Sequence, residues 1–423
     1  MKKPQIWDPY KDFQKTVLPN GLSIYSAHWD RSWAYVRILV HSGALADPKG
    51  KEGLAHFTEH MVSQRAGNLS KKKISRYVKM CGGRVAFGST DAYQTEFSFK
   101  VPLKSNVILK WINIFGKMLL LPFEDKRLEI ERSVVLQEFK RSFPTMLKYD
   151  VVTMPYQHAY VGTRFDGYIE PLGNPESIQA ITMSDIEKFA KKHYNPANMT
   201  IIAAGGIDHG EFVAMFNETI FAQAKGGYQN KLVKPLAEID YPASQEKILI
   251  ISEFLPGLKT DISSFVSYAL IPGTFARKYL LILARILREV IIEDLREKTG
   301  SIYAPEVDWE FLGDAYDLHI SLILDKEKLD QIKDSIVVNS LKRAGGKKRF
   351  NDMKLSIVRS FAIDDMNMED FCKRSGNDLV KYGKIFTSAE ELAAYETLSY
   401  EGYCSLVDYL LDAKRWWSLI EIP

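Results

Sequence analysis

Two stretches in opposite halves of the chain open with the same three residues and continue in the same pattern. "DAYQTEFSFKV" (Asp91 to Val101) and "DAYDLHISLIL" (Asp314 to Leu324) both read as a turn followed by a strand. Upstream, "SWAYVRILVHSG" (Ser32 to Gly43) is answered by "DISSFVSYALIPG" (Asp261 to Gly273), a β-rich strand that ends in glycine and leads into a helical pattern. A repeated order of elements constrains the fold strongly, because whatever the chain builds it builds twice. Between the halves, from Gly226 to Gln245, periodicity lapses into Gly, Pro and polar residues, as in a linker. The expected organisation is therefore an N-terminal domain over 1–225, a linker over 226–245 and a homologous C-terminal domain over 246–423.

Within the first half, "KTVLPNGLSIYSAHW" (Lys15 to Trp29) reads as a hairpin turning at Pro19-Asn20-Gly21. Helical periodicity follows over Ser70 to Met80, Asn106 to Leu120, Glu124 to Arg141 and Ser184 to His193, and "NMTIIAAGG" (Asn198 to Gly206) reads as a buried strand. Strands and helices mix without regular βαβ alternation. The fold class expected is α+β, two homologous domains each with a mostly antiparallel sheet packed with helices.

Composition narrows the function. The 423 residues are 46% hydrophobic, spread in periodic segments, and no run reaches the roughly 18 apolar residues of a transmembrane helix. The start, "MKKPQIWDPYKDF", has neither the apolar stretch of a secretory signal nor the pattern of a transit peptide, so the cytoplasm is the expected compartment. Cys81, Cys372 and Cys404 form no CxxC pair and read as reduced thiols. A net charge of +3 points to neither a nucleic-acid nor a membrane partner. The local basic runs "SKKKISRY" and "LKRAGGKKRF" read as solvated helix faces.

Against only eight histidines in the chain, "GLAHFTEHM" places His56 and His60 four apart with Glu59 between them. On a helix these three share one face. Two imidazoles at this spacing suit zinc, and Glu59 stands where it could take a proton from a metal-bound water. A catalytic zinc needs a third protein ligand, yet Met61 to Thr95 offers only Asp91 and Cys81 as donors. The richer source is "EDKRLEIERSVVLQEFKR", whose Glu124, Glu131 and Glu138 recur every seven residues on one helical face. Spacing alone leaves Glu131 and Glu138 as equal choices.

His56-x-x-Glu59-His60 in its setting, with "ERSVVLQE" downstream, "LGNPESIQAITMSDIEKFAKKHYNPANMTIIAAGGID" and "LREKTGSIYA" (Leu295 to Ala304), closely resembles the insulinase/pitrilysin family of inverzincin metallopeptidases. In length the chain is similar to the mitochondrial-processing-peptidase-like branch. The resemblance implies one Zn2+ per chain held by His56, His60 and Glu138, with Glu59 as general base and Glu131 as a supporting acid. It implies that Arg296 and Tyr303 bind the substrate backbone and stabilise the tetrahedral intermediate. It also implies that each chain is half of a clamshell, the zinc in one chain and the Arg/Tyr pair from another. Because this chain carries both elements, a homodimer with composite sites is the economical arrangement, an unlike paralogue being the other partner to consider. The substrate it implies is a short or unfolded polypeptide lying as an added strand near Gly83, Ala86, Phe87 and Ser89.

Two departures stand out. Ala86 and Phe87 occupy the place where the family commonly has Asn-Ala, with about one residue extra, and "VSQRAG" replaces the family's "FxGT". The rival to a peptidase is a non-catalytic or partner-dependent structural subunit of the same superfamily.

Overall fold

The computed structural model describes residues 8–121, 127–144, 146–168, 170–232, 234–238, 248–252, 262–297, 305–332, 335–361 and 366–422. In the first half, strands β1 (Phe13–Val17), β2 (Ser23–His28), β3 (Trp33–Val40), β4 (Arg84–Thr90), β5 (Thr95–Pro102) and β6 (Met199–Gly205) form a six-stranded sheet in the order β1-β2-β6-β3-β5-β4. All neighbours are antiparallel except β2 and β6. In the second half, β7 (Ile248–Ser252), β8 (Ile262–Pro272), β9 (Glu306–Phe311), β10 (Ala315–Asp325) and β11 (Trp416–Ile422) form a five-stranded sheet in the order β9-β10-β8-β11-β7. Its one parallel pair is β7 with β11.

Laid side by side, β4-β5-β3-β6-β2 matches β9-β10-β8-β11-β7 strand for strand, with the parallel pair in the same place. The repeat seen in the residues is thus a repeat of topology. Asp91 and Asp314 both sit in the connection between corresponding strands, where Asp91 accepts from the N–H groups of Tyr93 (2.7 Å) and Gln94 (2.8 Å).

Helices α1 (Leu54–Val62), α2 (Lys71–Met80), α3 (Ser105–Leu120) and α4 (Leu128–Ser142) belong to the layer on one face of the first sheet. Their apolar residues, Phe57, Trp111 and Phe115 among them, merge with Phe97 and Phe99 of β5 in one core. The opposite face of each sheet is covered by a segment from the other half. The helix Met368–Tyr382 sets Met368, Phe371 and Cys372 against Tyr35 and Leu39 of β3 and Ile202 of β6. In return, residues 154–160 lie over the second sheet, where His158 stacks on Trp417 (ring centroids 5.7 Å apart, planes 2° apart).

This exchange explains why "WAYVRILV" reads as an unbroken buried run: β3 is covered on both faces. Arg37, buried at its centre, pairs with Glu96 and donates to the carbonyls of Cys372 (3.3 Å) and Lys373 (2.8 Å), tying the exchanged helix to the strand. Gly376 permits the approach, since a Cβ there would lie 2.5 Å from the Arg37 guanidinium and 2.7 Å from Leu39. Neither sheet is closed by its own half of the chain alone. The linker residues 226–232 and 234–238 carry no helix or strand and are held by bonds such as Asn230 N–H to Asn198 Oδ1 (2.8 Å); residues 239–245 lie outside the described residues. Among the described residues no helix is long and apolar enough to cross a membrane.

Candidate metal centre

Eight of the nine residues of α1 are buried, His60 being the exception, so the helix is packed nearly all round. Its first N–H groups would be orphaned in that setting. The Asp47 carboxylate answers them, accepting from Gly53 and from Ala55 at 2.8 Å each. Leu54, Ala55, Phe57, Met61 and Val62 face the core, which leaves His56, Glu59 and His60 together on the side toward α4. Helix α4 is fixed by Arg132, which is buried, donates to the carbonyls of Ile178 and Ile181 (2.9 Å) and stands over the Phe57 ring. The two helices that carry the candidate ligands are therefore locked to each other through Phe57 and Arg132.

Among the described residues, His56, Glu59 and His60 form the group of His, Cys, Asp and Glu side chains with metal-ligand geometry, their ligand atoms within 4.8 Å of one another. The rings of His56 and His60 meet edge to face at 4.7 Å. From α4, one oxygen of Glu138, Oε2, lies 3.4 Å from Nε2 of His60 and 3.7 Å from Nε2 of His56. These are longer than hydrogen bonds. They are close to the edge of a tetrahedron: ligand atoms 2.0–2.1 Å from a shared zinc stand about 3.3 Å apart. The donor set fits that ion. Other histidines are satisfied within the protein, as with His193 on Ser42 (2.6 Å) and His41 on Thr200 (2.8 Å).

Glu131, one helical repeat earlier, faces the other nitrogen of His60, Nδ1, at 3.5 Å, and is held from behind by Arg127 at 2.9 Å. Arg127 also donates to Gln64 at the end of α1 (2.9 Å). Glu131 thus faces the His60 nitrogen that a metal on Nε2 would leave free, the arrangement that fixes a ligating ring. The electrostatics follow. Burial, with the neighbouring His60 charge, pushes His56 down to about 3, so its ring is neutral, the form a metal binds. Burial pushes Glu59 up to about 7. Burial pulls His60 down, but the bond from Glu131 and the charges of Glu59 and Glu138 outweigh it and hold His60 above the usual range.

Strand β4 forms the sheet edge beside this group. Its pairing with β5 shifts between Ala86 (opposite Ser98) and Ser89 (opposite Glu96), so three steps on β4 meet two on β5. The strand carries a β-bulge here. Gly88 sits in it at φ +154°, where a Cβ would lie 2.1 Å from Oε1 of Glu59. The edge strand thus touches the carboxylate, and only glycine fits. Ala86 and Ser89 are exposed, Gly83 and Phe87 half-buried.

Not every expected residue joins the group. Arg296 is exposed on the helical segment Ile292–Glu297 of the second half and takes part in none of these contacts, and Tyr303 and Glu124 lie outside the described residues. Conversely, Asp47, Gln64, Gly88, Arg127 and Arg132 build the centre without having been singled out from sequence. Gly88 alone left a signal, a glycine inside a strand pattern one residue too long.

Residues 24–155 match the family model described as Insulinase (Peptidase family M16), and residues 180–344 match that described as Peptidase M16 inactive domain. The chain belongs to the M16 insulinase family. Members of this M16 family are zinc-dependent. Among curated relatives, the mitochondrial-processing peptidase subunit beta of Blastocladiella emersonii is 26% identical over 224 residues, 52% of this chain and 47% of that protein. The cytochrome b-c1 complex subunit 1 of Bos taurus is 24% identical over 235 residues, 55% of this chain and 47% of that protein. The match thus spans about half the length of these M16 relatives. A solved protease from Helicobacter pylori superposes with a TM-score of 0.78 at 17% identity, over 97% of this chain and 99% of that one, which shows a shared M16 fold.

Proposed function

We propose that the chain is a zinc metalloendopeptidase that hydrolyses short or unfolded polypeptides. The observation that carries this reading is the single Glu138 oxygen standing at tetrahedral-edge distance from both histidine Nε2 atoms, with Glu59 beside them and not required as a ligand. His56, His60 and Glu138 would hold the metal. When bound, zinc polarises the scissile carbonyl and lowers the pKa of a bound water to near 7. Glu59 then accepts the proton of the attacking water and passes it to the leaving amine. Glu131 fixes the His60 ring through Nδ1. The substrate lies extended along the free edge of β4, pairing through backbone groups from Gly83 to Ser89. Arg296 and Tyr303 supply the oxyanion donors, reaching the site from a second copy in a clamshell homodimer.

The test is metal content per chain, paired with cleavage of a mixed unfolded-peptide library, for wild type and Glu59→Gln. Zinc in both with cleavage in wild type alone is expected. Mixing Glu59→Gln chains with Tyr303→Phe chains should restore activity, and a mixture as inactive as its parents would refute the shared site. The likeness to a cytochrome b-c1 complex subunit favours a second reading, a structural or partner-dependent subunit. Zinc in both proteins with cleavage in neither would select it.

A further inference from the structure

A strand sends successive side chains to opposite faces, and a bulge breaks that alternation and re-aims one of them. Along Arg84–Thr90, exposed and half-buried residues alternate as far as Phe87. Gly88 is then half-buried where an exposed residue is due, so the bulge sets Phe87 and Gly88 on the same side of β4. That side packs on the core shared with α1 and α2, which Phe87 contacts. Gly88 marks the candidate reaction position, because a Cβ there would meet Oε1 of Glu59 at 2.1 Å. The Phe87 ring therefore stands one residue along the edge from that position, on the same side of the strand as Glu59.

The ring is fixed from α2. Nζ of Lys71 lies 5.5 Å from its centroid, within cation–π range, and 3.4 Å from Oγ of Ser63. Ser63 donates in turn to the carbonyl of His60 (2.9 Å). Phe87 thus belongs to the same set of contacts as the end of α1, yet it stays half-buried, with part of the ring open. With Ala86 and Phe87 where the family commonly has Asn-Ala, the strand offers a ring here and no side-chain amide. Because β4 is a sheet edge, a peptide can pair with it directly, about 4.8 Å away. The residue across from Phe87 then carries its side chain on the ring's side, with Cβ atoms about 5 Å apart. That is contact distance for a second ring.

We propose that Phe87 is a specificity-determining residue, and that the substrates are polypeptides with an aromatic side chain across from it, beside the bond presented to Glu59. The inference rests on the peptidase reading and deepens it. A substrate ring gains edge-to-face or offset contact in addition to burial, which an aliphatic side chain lacks. A substrate ammonium is the poorer occupant, because that of Lys71 already lies over the ring.

The experiment uses fluorescent peptides of equal length that differ at one central position, Phe, cyclohexylalanine, Ala or Lys. They are bound at equilibrium to the full-length Glu59→Gln protein, which cannot turn them over. The Phe peptide should bind about fivefold tighter than the Ala peptide, with cyclohexylalanine between them and Lys no tighter than Ala. Phe87→Leu keeps an apolar side chain and should bring the Phe and cyclohexylalanine peptides level, while Phe87→Tyr should keep the order. Benzoylphenylalanine at the central position should crosslink to β4 or the start of α2, a readout that stands even where Phe87→Leu fails to fold. Equal binding of the Phe and Ala peptides overturns the proposal, as does a cyclohexylalanine peptide that matches Phe. An unchanged order in folded Phe87→Leu overturns it too, as do crosslinks confined to other elements. Cleavage of the same peptides by wild type is scored separately. Its absence counts against the peptidase reading alone, because the preference is read by binding.

Discussion

The molecule contains the same place twice. In the first half, the space between α1 and α4 holds His56, Glu59, His60 and Glu138. In the second half, the corresponding space between the helices Arg277–Ile291 and Lys347–Ser360 is a cavity of about 780 Å3 lined by Arg285, Arg288, Glu289, Lys348, Arg349 and Asp352. Neither of those helices carries a histidine. The nearby Glu293 is taken up by guanidinium groups, Arg349 at 2.8 Å and Arg343 at 2.6 Å. The connections differ too. Residues 41–53 separate β3 from α1, whereas 273–276 separate β8 from its helix, which runs 15 residues against 9 for α1. The longer connection houses Asp47, the cap that lets a short buried helix begin where it does. Topology was duplicated; the candidate ligand set and the loop that positions it are confined to one copy, and the proposed chemistry rests on that local difference.

If that contrast is right, the largest effect comes from the ligands. Glu138→Gln replaces the carboxylate whose Oε2 stands 3.4 Å and 3.7 Å from the two imidazole Nε2 atoms, so metal affinity should fall further than the 10–100-fold typical of outer-sphere partners. Dialysis against graded chelator, read as zinc per chain, checks this; full occupancy in the variant would break the ligand assignment. Next is the seam between the halves. Arg37 stands six residues before Gly43, as Ser267 stands six before Gly273, yet Arg37 binds the exchanged helix and the Ser267 hydroxyl bonds, among the described residues, to Ser418 (2.9 Å). Arg37→Leu leaves Glu96 without its partner and should cost about 3 kcal/mol. Ser267→Ala should cost about 1 kcal/mol. Urea midpoints of the two variants measure the asymmetry, and equal losses would show that the seam is not held at Arg37.

Gly88→Ala tests the bulge. The added methyl must displace either β4 or the Glu59 carboxylate, and an error of about 1 Å in a reacting group costs on the order of a hundredfold in rate. Zinc content should stay near wild type, since the added methyl meets Glu59 and not a proposed ligand, while the urea midpoint should fall, by about 1 kcal/mol or more of stability, from the strain of a side chain at positive φ. A variant that turns over peptides at the wild-type rate would remove Gly88 from the site.

What the sequence revealed, and what it hid, follows from the range of the interactions. The histidine helix was legible because i, i+4 spacing is local, and the duplication because strand order repeats along the chain. Glu138 was not separable from Glu131 by spacing, because both share a helical face; only the distances to Nε2 and Nδ1 of His60 tell them apart. The exchange was invisible for a similar reason. The apolar stripe of Met368–Tyr382 has the same period whichever sheet it covers, and the burial of β3 on both faces is visible only in the fold. The bulge near Phe87 was hidden as well, because a count of residues does not say where a strand bulges.

The smallest expected effect sharpens the comparison most economically. Arg349→Gln alters the second copy of the site, where the guanidinium binds Glu293 from a partly exposed position. Such pairs contribute about 0–1 kcal/mol, so the urea midpoint should move little. Peptide turnover and zinc content should not move at all if the second copy serves only as scaffold. The same substitution logic at the first copy, Glu138→Gln on the matching helix, is expected to empty the site. Two single amide substitutions on topologically equivalent helices would then differ in everything except their fold. A loss of turnover on Arg349→Gln with zinc retained would instead show that the cationic cavity of the second half takes part in handling substrate, and that duplication preserved a function as well as a shape.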